Sequence, residues 1–300
     1  MAFDQLGEQI KVDRFDLGEQ GLLPGLIEFV EEPEKMRLAR AFEAGKQRVH
    51  LEHDQTPQWS DVMPTMVVGL ESPMRDCLRS GVGSTLVAPS ILSADFASMG
   101  DECAGVIASG ADLLHVDVMD GHFAPNLTMG PDMCRALRRR LPDVCLDVHL
   151  MVTYPQQFFE RFVDAGADHL SFHIEVTTAD QAASMADDIR QLGATAGIAI
   201  NPTTPVRAIS EIVHQFEMVL VMSVQPGFSG QAFRGEVLGK VQALRELGYE
   251  GWIEMDGGLN PSNAGLVRRA GVNVLVAASA IFNEPSDKRG EVIAHLRSGD

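Results

Sequence analysis

The stretch LLHVDVMDGHFAPNLTMGP, residues 113–131, decides how the chain is read. It opens as an apolar, β-branched strand and breaks into a loop rich in Gly, Pro and Asn. Side chains alternate faces along a strand, so His115, Asp117 and Met119 share one face. Asp120 and His122 follow in the loop. An apolar strand that ends in imidazoles and carboxylates asks for an explanation beyond packing.

Seven other short runs resemble it once the chain is followed outward. They are TLVAPS from Thr85, CLDVHL from Cys145, HLSFHI from His169, TAGIAI from Thr195, VLVMSV from Val219, WIEMD from Trp252 and NVLVAAS from Asn273. A helical pattern follows each run. Gly110, Gly166, Gly193, Gly248 and Gly271 stand where helices would stop. Strands alternating with helices imply a parallel sheet, and eight such units imply a closed (β/α)8 barrel over residues 85–300. A doubly wound open sheet is the alternative. It would carry a G-x-G-x-x-G turn after a strand, and none occurs.

Residues 1–84 have a different texture. They predict one or two helices, one starting between Pro33 and Lys35, and a flexible joint at Ser80–Ser84. No chemical motif is found there, and the segment is read as an N-terminal extension.

The bulk numbers exclude several classes. The chain of 300 residues is 45% hydrophobic and carries a formal net charge of -18. A basic nucleic-acid footprint is therefore not expected. No apolar run approaches the roughly 20 residues of a membrane span, and the N-terminus does not read as a signal peptide. Cys77, Cys103, Cys134 and Cys145 form no C-x-x-C pair, so a cytoplasmic protein with reduced thiols is expected.

In a (β/α)8 barrel the chemistry gathers at the C-terminal strand ends. Those ends carry Ser90, then His115, Asp117 and Met119, then Asp147, His149 and Met151, then His173 and Glu175. Asn201, Met222, Ser223, Asp256 and Ser279 complete the set. His115, Asp117, His149 and Asp256 form a nitrogen–oxygen set suited to a divalent transition metal. Histidines satisfied within a polar core are the alternative reading.

The loops after the last three strands, QPGFSGQAF, DGGLNPSNAG and AASAIFNEP, let backbone approach an anion closely. Barrels of this kind often hold a phosphate there. Beyond residue 84 the only lysines are Lys240 and Lys288, both expected in helices, which excludes a Schiff-base mechanism. No G-x-S-x-G nucleophile elbow occurs.

Taken in order, APSILSADFA, HVDVMDGHFAPNLTMGP, DVHLMV, VLVMSVQPGFSGQAF, MDGG and ASAIF resemble ribulose-phosphate 3-epimerase over residues 85–297. The resemblance implies a cytoplasmic isomerase of carbohydrate metabolism, in the pentose phosphate pathway or the reductive carbon cycle. It would interconvert D-ribulose 5-phosphate and D-xylulose 5-phosphate. By position, it implies that His115, Asp117, His149 and Asp256 hold one divalent ion of zinc, iron, cobalt or manganese. Asp117 and Asp256 would be the acid–base pair. Ser90, His149, Met119, Met151 and Met222 would meet the substrate. Gly227, Phe228, Ser229, Gly230, Gly257, Gly258, Ala278 and Ser279 would surround its phosphate. Related barrels often associate, so a homo-oligomer is compatible.

Three positions depart from the family pattern. Ser229 and Ala278 stand where glycine is usual, and both add atoms near the expected phosphate. Met255 stands where valine is common. An epimerase of another ketose phosphate, such as allulose 6-phosphate, is an alternative, as is a non-catalytic phosphosugar-binding protein. A related phosphosugar decarboxylase would carry lysine in a D-x-K pattern after strand two. Met119 stands at that position.

Overall fold

The computed structural model describes residues 84–299. The expected helix near Pro33, most of the Ser80–Ser84 joint and Cys77 lie outside the described residues.

Eight parallel strands follow one another round a barrel, β1 (Leu86–Pro89), β2 (Leu113–Met119), β3 (Cys145–Met151), β4 (His169–His173), β5 (Thr195–Ile200), β6 (Met218–Met222), β7 (Trp252–Asp256) and β8 (Val274–Ala277). Their order in the sheet is β1-β8-β7-β6-β5-β4-β3-β2. The remaining seam, between β1 and β2, is joined by a bridge between Ser90 and His115. The Val87 carbonyl also accepts from Asp112 N–H at 3.1 Å. The expected (β/α)8 barrel is the observed fold.

The helices are α1 (Met99–Ala108), α2 (Pro131–Arg140), α3 (Phe159–Asp164), α4 (Ala179–Gln191), α5 (Leu238–Glu246), α6 (Pro261–Arg269), α7 (Ser279–Phe282) and α8 (Arg289–Ser298). Local sequence sets their ends. Thr178 and Gln181 form a capping box on α4, and Asn260 and Asn263 form one on α6. Pro131 opens α2, where a missing N–H costs nothing. The five expected stop glycines all take positive φ, from 77° at Gly248 to 105° at Gly271.

Two expectations are corrected. No α-helix follows β5; the chain makes two 3-10 turns, Val206–Ala208 and Val213–Gln215. Its buried Val206, Ile209 and Ile212 recur every third residue, which suits a 3-10 turn as well as a helix. Lys288 is the residue before α8 and not within it.

Strand alternation sorts the side chains into two cores. Val87, Leu114, Leu146, Val219, Ile253 and Leu275 join the large core against the helices. Their neighbours Leu86, Ala88, Leu113, Cys145, Met218, Trp252, Val274 and Val276 form a separate apolar cluster. This cluster occupies the barrel interior. Further along the same inward faces, residues of β2, β3 and β7 become polar.

Candidate active site

The register of β2 on β3 lays out the site. His115 pairs with Asp147, Asp117 with His149 and Met119 with Met151. Asp256 ends β7 opposite Met222 of β6. One ligand atom each from His115, Asp117, His149 and Asp256 lies within 4.8 Å of the other three. His115 and His149 are wholly buried, and Asp117 is nearly so. The four groups read from the ends of three strands thus converge.

Asp117 is the hub. Its Oδ2 accepts from the Ser90 hydroxyl at 2.6 Å. Its Oδ1 lies 3.1 Å from His149 Nδ1 and 3.3 Å from His115 Nε2. Burial opposes its charge, but His115 and His149 outweigh burial and hold this carboxyl well below the usual range. Asp256 goes the other way. Burial, followed by the Asp117 charge, pushes it up to about 7. Burial, ahead of the smaller opposing contacts, pushes His149 down to about 4, so this ring is neutral near pH 7.

Beneath His115 lies a layer that the sequence reading left without a role. His115 Nδ1 meets Asp147 Oδ2 at 2.6 Å and Glu254 Oε1 at 3.4 Å. All three residues are wholly buried. Burial, then the Asp147 charge, raises Glu254 well above an ordinary carboxylic acid. His115 Nε2 has no hydrogen-bond partner. A buried ring nitrogen without a partner, among carboxylates and a second imidazole, fits a cation site. The donor set and this orphaned atom therefore suit a divalent transition metal.

The loop after β2 is built by its own polar residues. Asp120 Oδ1 accepts from His122 and Phe123 N–H, and its Oδ2 accepts from Thr153 N–H, each at 2.8 Å. Thr128 donates to the Asp117 carbonyl at 2.6 Å. Asn126 donates to the Gly227 carbonyl at 2.8 Å, which ties this loop to the one after β6. Asp120 and His122 shape the loop and are not part of the cluster.

A cleft of about 500 Å³, open to solvent, lies above Asp117 and Asp256. Ser90, Met119, Met151, Met222, Gly227, Phe228, Ser229, Gly230, Gly257, Gly258, Ala278 and Ser279 all line it. His149, also expected to meet the substrate, is not among the residues lining it. Phe228 is largely exposed at the rim. Leu92, Val224, Gln225, Pro226, Gln231, Leu259 and Val276 also line the cleft and were missed. They lie within the quoted stretches, but nothing in their types singles them out. Gly258 has φ 65°, and a Cβ there would meet Phe233 N at 2.5 Å and Gln231 O at 2.6 Å. The glycine is what lets the loops after β6 and β7 touch.

A parallel (β/α)8 barrel with an acid–imidazole cluster under a glycine-walled cleft defines a barrel enzyme with its site at the strand ends. The ribulose-phosphate 3 epimerase family model matches residues 86–282. The chain is 46% identical over 217 residues to the ribulose-phosphate 3-epimerase of Synechocystis sp., covering 71% of this chain and 93% of that one. It is 44% identical over 208 residues to the Bacillus subtilis enzyme of that name, covering 68% and 94%. It is 46% identical to the chloroplastic ribulose-5-phosphate-3-epimerase of Arabidopsis thaliana, covering 68% and 74%.

Among solved structures, 3-keto-L-gulonate-6-phosphate decarboxylase from Vibrio cholerae superposes with TM-score 0.56 at 14% identity, covering 71% and 95%. A 3-hexulose-6-phosphate synthase gives TM-score 0.53 at 16% identity, covering 72% and 99%. These two share the fold. The chain belongs to the ribulose-phosphate 3-epimerase family and is an isomerase. No helix among the described residues is long and apolar enough to cross a membrane.

Proposed function

We propose that the chain interconverts D-ribulose 5-phosphate and D-xylulose 5-phosphate by a two-carboxylate proton transfer that depends on one divalent metal ion. The observation that carries this reading is the approach of Asp117 and Asp256 from different walls. Strands β1 and β8 stand between β2 and β7 on the shorter way round. Yet their carboxylate oxygens come within 4.8 Å of each other.

The chemistry follows from the substrate. The C3 proton is acidic because it lies next to the C2 ketone. One carboxylate removes it, leaving a planar enediolate. The other delivers a proton to C3 from the opposite face, which inverts the centre. For the reverse epimer the two acids exchange tasks. Ser90 fixes Asp117 through its 2.6 Å hydrogen bond, so the carboxylate does not swing out of line. Met119, Met151 and Met222 bound the reacting carbon with groups that carry no exchangeable proton. His115, Asp117, His149 and Asp256 would hold the ion, and zinc, ferrous iron, cobalt and manganese all suit this set. When bound, the ion supplies Lewis-acid stabilisation of the charge that develops at the C2 oxygen.

The phosphate falls to the loops after β6, β7 and β8. Among the described residues, no lysine or arginine lines the cleft. An anion there is therefore held by neutral donors of the loops, such as backbone N–H groups and hydroxyls. The distance from Asp117 and Asp256 to those loops sets the length of sugar accepted.

The test is turnover of D-ribulose 5-phosphate by the purified full chain. The expected result is epimerisation that a chelator abolishes and a divalent ion restores. Unchanged turnover after the metal is removed, with removal checked by elemental analysis, would contradict the metal-dependent reading.

A further inference from the structure

A line of hydrogen bonds runs from the cluster to the ends of β4 and β5. His149 Nε2 lies 2.8 Å from His173 Nε2. His173 Nδ1 lies 2.9 Å from Glu175 Oε2. Both rings are wholly buried, and they stack with centroids 5.0 Å apart. Phe123 closes over the His173 ring at 4.6 Å. Glu175 is held from the loop after β5. Its Oε1 accepts from Asn201 N–H at 2.8 Å and from the Thr204 hydroxyl. Lys240 then clamps that loop, donating to the Asn201 carbonyl at 2.5 Å and the Thr204 carbonyl at 2.7 Å.

Each contact in this line holds one proton, and the direction is set at its far end. Glu175 already accepts two hydrogen bonds, and an ionised carboxylate can only accept. His173 Nδ1 must therefore carry its proton. In a neutral ring His173 Nε2 is then bare and accepts. The proton between the two rings then belongs to His149 Nε2. A neutral His149 is left with a bare Nδ1, and that is the atom turned toward Asp117. A bare nitrogen 3.1 Å from a carboxylate oxygen is repulsive unless a cation lies between them.

We infer that Glu175 and His173 are positioning residues, which act through two hydrogen bonds to fix His149 in the tautomer whose Nδ1 is free to ligate the ion. This rests on the metal reading above. The two imidazole ligands are then oriented by different means. His115 is backed directly by the Asp147 carboxylate, and its Nε2 has no hydrogen-bond partner. His149 is backed by a carboxylate at one remove, through a second ring. Outer partners of this kind typically change metal affinity by about 10–100-fold.

The experiment uses the full chain and zinc alone. Ring nitrogen-15 NMR of the zinc-loaded protein should show His149 protonated at Nε2 and metal-shifted at Nδ1. Glu175→Gln should weaken zinc about 10–100-fold by chelator competition, since a carboxamide can donate to His173 and reverse the line. Glu175→Asp, which keeps an acceptor, should recover part of that loss. Thermal unfolding of the metal-free proteins shows whether the fold is kept. A His149 protonated at Nδ1 in the zinc-loaded wild type would overturn the inference, and so would wild-type zinc affinity in a folded Glu175→Gln chain. Wild-type protein that turns over substrate yet binds no metal would instead overturn the metal reading, a result distinct from the other two.

Discussion

The two ends of the barrel interior are built from the same strands and differ in nearly every property. Along β2 the inward positions run Leu113, His115, Asp117 and Met119, and along β3 they run Cys145, Asp147, His149 and Met151. The first member of each joins the apolar cluster with Trp252, Leu86 and Val274. The second belongs to a buried ionic layer, whose His115 also joins the candidate site, and the third lies in that site. Two residues of strand, from Leu113 to His115 and from Cys145 to Asp147, therefore carry the chain from a region that only packs to one that carries charge. The lesson is that stability and chemistry are separated by about one strand step of two residues. Substitutions on one strand should divide cleanly between them.

The largest expected effect falls at the polar end. Asp117→Asn and Asp256→Asn should each lower turnover by at least roughly 10²–10⁴-fold, the usual range for losing a positioned acid or base. Circular dichroism and the unfolding midpoint should show an intact barrel. Near-normal turnover in either variant would break the comparison at its functional end.

Leu113→Ala, four residues earlier on the same strand, should do the reverse. Leu113 is wholly buried in the apolar cluster. Its truncation should destabilise the barrel by about 2–5 kcal/mol, with kcat of the folded fraction little changed. A large fall in kcat without loss of stability would show that the two ends are coupled.

Ala278→Gly sharpens the picture within the cleft. Ala278 lines the wall where the phosphate is expected. Removing its methyl should lower KM modestly, by about 1 kcal/mol or less, and change kcat less. Phosphate lies far from C3, so its binding energy acts alike in ground and transition states. An unchanged or raised KM would move the phosphate elsewhere.

The smallest effect is expected from deletion. A chain that begins near Gly83 should fold and keep turnover, because every residue assigned to the site lies after it. The comparison is kcat and thermal unfolding of the full and shortened chains. Loss of turnover in a folded, metal-loaded truncation would add the leading segment to the functional end.

Much of this was legible in the sequence because strand periodicity is local. The alternation in LLHVDVM puts His115 and Asp117 on one face whatever the rest of the chain does. The convergence with His149 and Asp256 followed once the runs were taken as one barrel. The backing layer was not legible. Asp147 and Glu254 matter through the register of β3 and β7 beside His115, and register is a property of the whole sheet. Glu175 was noted as a strand end, yet it lies in a 3-10 turn after β4. Its partners Asn201 and Thr204 come from the next loop. Lys240 was read only as a helix residue, because its reach to that loop depends on how α5 packs. The turns after β5 were misread since their apolar spacing satisfies both a helix and a 3-10 repeat.

The most direct test of the central claim follows hydrogen at C3. With the metal-loaded enzyme in deuterium oxide, D-xylulose 5-phosphate formed from D-ribulose 5-phosphate should carry solvent deuterium at C3 after a single turnover. Asp117→Asn and Asp256→Asn should each keep exchange from one epimer only, and not the same one. Product that retains the substrate's own hydrogen at C3, or exchange of both epimers in both variants, would contradict proton transfer by two opposed carboxylates.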